Sequence, residues 1–77
     1  MDPNPKAITV DQFKHVKDFQ SGCHELAQCY NMRGNSVCLL YFATKMIYTV
    51  IINGQAVYKD IYLDKAVKAY NNSLFHP

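Results

Sequence analysis

Cys23-His24, with Cys29 downstream and His15 upstream, is the part of this chain whose residue types could ligate a metal or share a proton. Structural zinc sites bring their ligands in close C-x₂₋₄-C pairs, whereas Cys23 and Cys29 are six apart in a stretch that reads as helix. Helix neighbours such as Cys23 and His24 point about 100° apart, so they do not make a nucleophile–base pair. Carboxylates arranged for acid–base work are missing as well. Glu25 is the only glutamate, and Asp18, Asp60 and Asp64 have no pairing pattern. The chain holds no P-loop, GxGxxG, HExxH or GxSxG. Neither an enzymatic activity nor a metal or other cofactor is expected. Cys23, Cys29 and Cys38 then read as structural thiols, reduced and mostly buried. Their number is odd, and no basic-then-apolar signal segment follows Met1, so the expected setting is reducing and cytoplasmic.

The elements that hold these residues come from a short chain. Its 77 residues, 49% hydrophobic and 18% charged, allow one domain, and a net charge of +2 on so apolar a chain excludes disorder. So small a core is marginal unless stapled, metal-bound or extended by a partner surface, which raises the expectation of a homodimer. Eight Lys and Arg against six Asp and Glu fall short of a dedicated nucleic-acid arm. The apolar run Ser36 to Ile52 is shorter than the roughly 20 residues needed to cross a bilayer and carries Lys45 at its centre, so no membrane contact is expected.

Residues 1–8, with Pro3 and Pro5, read as an extended arm, and residues 9–75 as the domain. Thr9 and Gln12 have capping-box spacing, and Phe13, Val16, Phe19, Cys23, Leu26 and Tyr30 recur at steps of three and four. That pattern predicts a first helix, bent or divided at Ser21-Gly22 and ended by Gly34. Val37 to Ala43, Met46 to Ile52 and Gln55 to Ile61 read as strands, the last two joined by an Asn53-Gly54 type I′ hairpin. Asp64 can cap a closing helix in which Val67, Tyr70 and Leu74 share a face. The expected fold is α+β, in the order α-β-β-β-α, with a three-stranded antiparallel meander.

The hairpin sets a register in which Tyr48, Val50, Val57 and Lys59 share one face, and a two-residue turn at Thr44-Lys45 adds Val37, Leu39 and Tyr41 to it. Leu40, Phe42, Ile47, Ile51 and Tyr58 then project on the other. Both faces are apolar, so the second is covered either by a helix or the arm, or by a partner. The five residues of the second face are the candidate protein interface.

Two resemblances bear on function. The α-β-β-β-α order resembles that of the double-stranded-RNA-binding domain, whose last helix opens with phosphate-bridging lysines, and Lys65 and Lys68 fall at corresponding places. The family's Gly-rich run before that helix is absent, and Asp64 stands where it brings a lysine. The closing run, from Ile47-Tyr48-Thr49-Val50 through Asn53-Gly54 to Leu63-Asp64-Lys65-Ala66-Val67-Lys68-Ala69-Tyr70-Asn71, is similar to small accessory proteins of phages and other mobile elements, anti-CRISPR and related anti-defence inhibitors among them. That resemblance implies a non-enzymatic module that occupies a host protein's surface in the host cytoplasm. The mild positive charge departs from the acidic, DNA-mimicking members. Protein binding is thus the expected function, with nucleic-acid binding through Lys65 and Lys68 as the alternative.

Overall fold

A computed structural model describes residues 5–76. A 3₁₀ helix, Val10–Asp18, precedes four strands, β1 (Cys23–Tyr30), β2 (Ser36–Phe42), β3 (Ile47–Ile52) and β4 (Gln55–Asp60), and the helix α1 (Leu63–Phe75). The strands form one antiparallel sheet in the order β1-β2-β3-β4. The α+β class and the meander are as expected from the sequence, with one strand added at the edge.

That strand occupies what reads as the second half of a first helix. The Val10–Asp18 segment before it is two short 3₁₀ turns joined at Phe13, whose φ of −123° and ψ of 21° are not helical, and Phe13 and Val16 are buried. The Thr9 N–H donates to Gln12 Oε1 at 2.8 Å, closing one half of the expected capping box. Gly22 then takes a left-handed φ of 89°, and the chain enters β1. Gly34 does not end a helix. It closes the β1–β2 hairpin with a φ of 82°, and its N–H donates to the Asn31 carbonyl at 2.9 Å. Buried Asn31 organises this turn, its Oδ1 accepting from the Arg33 and Asn35 amides at 2.9 Å each.

Asn53 and Gly54 both have positive φ, 51° and 84°, as a type I′ turn demands, and Ile52 faces Gln55 as expected. Two residues later the register departs from a plain hairpin. A bulge opposite Val50/Ile51 pairs Val50 with Tyr58, Thr49 with Lys59 and Tyr48 with Asp60. The extra residue is Val57, which stands 53% exposed. Tyr58 thereby passes to the core face and Lys59 to the other, exchanging the faces expected for them. Tyr58 and Asp60 move together: the Tyr58 hydroxyl donates to Asp60 Oδ2 at 2.7 Å, and Asp60 Oδ1 accepts the Tyr62 N–H at 2.9 Å. Tyr62, rather than Asp64, is the N-cap of α1, and Asp64 sits in its first turn.

The N-terminal helix and α1 share one side of the sheet. Phe13 and Val16 join Val37, Leu39, Tyr41, Tyr48 and Val50 from the sheet and Ala66, Val67, Tyr70 and Leu74 from α1 in a single buried cluster. The arm docks on this same side. The Ile8 N–H donates to Asn71 Oδ1 and Asn71 Nδ2 donates back to the Ile8 carbonyl, both at 2.9 Å. The first four residues of the expected arm lie outside the described ones.

Tyr70, 1% exposed, gives the core a pH dependence. Burial, reinforced by Cys29, Cys38 and Glu25, pushes its phenol up from 10.0 to about 12. A group whose folded value is raised contributes stability that is complete below its unfolded value and is lost as pH climbs through the folded one. The urea midpoint is therefore expected to fall between pH 10 and about 12, and Tyr70→Phe to flatten that fall. An unchanged slope in the variant would remove Tyr70 as its cause.

Candidate functional site: the open face of the sheet

With both helices on one side, the opposite face of the sheet carries no element of the described chain. Strand pairing arranges this face in rows. Cys23, Phe42 and Ile47 form one row; Glu25, Leu40, Thr49 and Lys59 form the next; Gln28, Cys38, Ile51 and Ala56 form the third. The two central columns are apolar apart from Thr49, with one acid, Glu25, on β1 and one base, Lys59, on β4. Four of the five sequence-derived interface residues, Leu40, Phe42, Ile47 and Ile51, meet here, each half-buried by its neighbours. Tyr58 does not join them, because the Val57 bulge turns it toward α1.

A shallow groove of about 230 Å³ runs over this face between Phe42, Ile47, Ile51 and the stems of Lys45 and Lys59. Thr49 lines it. This side chain is 2% exposed, and its Oγ1 has no hydrogen-bond partner among the described residues. A buried hydroxyl without a partner costs roughly 1–3 kcal/mol, so the floor of the groove holds an unmet polar demand.

The thiols fall in three environments. Cys23 is exposed and Cys29 and Cys38 are half-buried, all unbridged, so the expectation of three buried thiols fails for Cys23. The cause is β1 itself, an edge strand that turns Cys23 to the open face. Burial, and then the neighbouring Glu25 carboxylate, push the Cys38 thiol up from 9.0 to about 11, which keeps it protonated and a poor nucleophile near neutral pH. His24, adjacent to Cys23 in a strand, points to the opposite face. Its ring stacks on Phe19 at 3.9 Å, and its Nε2 lies 2.8 Å from the Ser21 carbonyl oxygen. His15 meets the same phenylalanine edge-on at 5.7 Å. Among the described residues no group of three His, Cys, Asp or Glu is placed to hold a metal, and no helix is long and apolar enough to cross a membrane.

Lys65 and Lys68 lie one turn apart on α1, across the molecule from the open face. Lys65 Nζ sits 5.2 Å from the Tyr62 ring centroid, and both lysines border a depression with Tyr58 and Asn72. Asp60 lies nearby, its carboxyl held below the usual range chiefly by the Tyr58 hydroxyl and the Tyr62 amide. The open-face residues that sequence reasoning passes over are Cys23, Glu25 and Gln28, assigned to a helix, and Lys59, assigned to the other side. Thr49 falls on this face in the sequence-derived register, but nothing in the sequence marks its hydroxyl as unpartnered. Compared with protein-family models, curated proteins and solved structures, the chain finds no match in any of the three.

Proposed function

We propose that this chain is a small non-enzymatic protein-binding module that acts through its open sheet face. In this reading it is an inhibitor or modulator of the phage-encoded kind, covering a surface of a host protein in the host cytoplasm. One observation carries the protein-binding reading: Leu40, Phe42, Ile47 and Ile51 form a contiguous apolar surface, opposite the helices, around the unpartnered hydroxyl of Thr49. Contiguous apolar surface of this kind, rimmed by charge, marks protein contact in small soluble domains. The inhibitor reading rests on the resemblance of the closing strand-turn-strand-helix run.

The test is capture of a host protein on immobilised chain. Wild type is expected to retain one host protein, Leu40→Asp and Phe42→Asp to lose it, and the double variant Lys65→Ala/Lys68→Ala to keep it. Salt-sensitive binding of duplex RNA that disappears in the lysine variant would put the nucleic-acid alternative in its place.

A further inference from the structure

We propose that the open face takes a second copy of this chain, related to the first by a two-fold axis that lies in the interface parallel to β2 and β3. The proposal rests on the protein-binding reading of this face and names the partner. Charge complementarity carries it. The middle row crosses all four strands as Glu25, Leu40, Thr49 and Lys59. Rotation about an axis along the strands exchanges β1 with β4 and β2 with β3 and keeps every residue at its own level. Each Glu25 then faces the Lys59 of the other copy, and each Leu40 is laid over the Thr49 position of the other copy, whose buried hydroxyl it does not partner. In the flanking rows Phe42 meets Ile47, and Cys38 meets Ile51. Aligned sheets cross at about −30°, which displaces the row ends by a distance that the flexible side chains of Lys59 and Glu25 can span.

The other face-to-face arrangement, with its axis across the strands, sets Glu25 on Glu25 and Lys59 on Lys59; its two repulsions replace two attractions, which outnumber the single approach of Lys45 to its own copy across the chosen axis. Growth at the sheet edges is opposed by the fold itself. Both outer strands carry a bulge, at Leu26 in β1 and at Val57 in β4, and bulged edges pair poorly with a further strand. Four strands and three rows span a face of only about 20 by 20 Å. An interface this size lies at the low end for specific association, so the expected dissociation constant is micromolar. Self-association and capture of a host protein then compete for one surface.

The full chain and three variants, Glu25→Lys, Lys59→Glu and the double exchange, decide the matter by sedimentation equilibrium. Either single reversal sets like charges opposite one another twice per dimer and is expected to weaken self-association about tenfold or more. The double exchange restores it, and so does an equimolar mixture of the two single variants, because the heterodimer again pairs acid with base at both ends. Raising ionic strength from about 0.1 M to about 1 M weakens the wild type and not a variant in which both positions are Gln. Single variants that dimerise like wild type, or a mixture that fails to restore association, would overturn this symmetry. A wild type that stays monomeric overturns the second copy as partner. If Ile51→Asp is then folded, the protein-binding reading stands without it; if Ile51→Asp unfolds, both fall.

Discussion

Replacing Ile51 by aspartate is expected to leave the chain folded and to abolish its associations. Ile51 sits in β3 between Cys38 and Ala56, half-buried, on the side of the sheet away from α1. In the isolated chain the new carboxylate stays in water. The cost to folding is then the poor fit of aspartate in a strand and the lost packing of Ile51 against its cross-strand neighbours Cys38 and Ala56, about 1–2 kcal/mol together. In an assembly the same carboxylate is buried opposite apolar side chains without a partner, and self-association is expected to weaken at least about a hundredfold. Far-UV circular dichroism should match the wild type while sedimentation reports a monomer. A face covered by the protein's own elements would behave otherwise. There the substitution would cost several kcal/mol in a domain that holds roughly 5 kcal/mol in total, and the chain would unfold.

Leu39 and Leu40 are neighbours in β2 that point to opposite faces, and truncating each to alanine separates folding from association. Leu39 is 0% exposed, in the cluster formed by Val50, Tyr70 and Leu74. Leu39→Ala removes its buried methyl groups and leaves a cavity, at about 2–5 kcal/mol, enough to unfold a large part of the population at physiological temperature. Leu40→Ala removes the same atoms from the half-buried open face, where the folding cost is expected to be about 1–2 kcal/mol, smaller than that of Leu39→Ala. Its effect belongs to the interface, because Leu40 is the side chain set against Thr49 of the second copy, and a roughly tenfold loss of affinity is expected. Urea midpoints read the first effect and sedimentation the second. Equal destabilisation by the two substitutions would mean that both sides of β2 belong to the core.

The contrast between these two leucines was legible in the sequence, and so were the Asn53-Gly54 hairpin, the buried face of α1 and the apolar character of both sheet faces. Each is a local signal: a turn that needs two positive φ angles, a helical stripe, an alternation of period two. What could not be read depends on contacts distant along the chain. Cys23, Leu26 and Tyr30 suit a helix as well as a strand, and the residues between them, Glu25, Ala27 and Gln28, favour helix by intrinsic propensity. Residues 23–30 become a strand because the free edge of β2 supplies a hydrogen-bonding ladder, a tertiary effect that outweighs propensity. The Val57 bulge has no glycine to announce it and is favoured by the packing of Tyr58 against the core beneath α1. These two misreadings hid the charged ends of the central row. Glu25 sat on an expected helix and Lys59 on the wrong side of the sheet, so the apolar centre of the face was foreseen and its charge complementarity was not.

Sedimentation equilibrium of the wild-type chain over a concentration series tests the central claim most directly. The expected result is a weight-average mass that rises with micromolar concentration from the 8.8 kDa of one chain toward twice that value. It should level there, because a two-fold face-to-face contact is closed and leaves no further copy of the surface to fill. A mass that stays at one chain throughout, or one that climbs past the dimer without levelling, would contradict it.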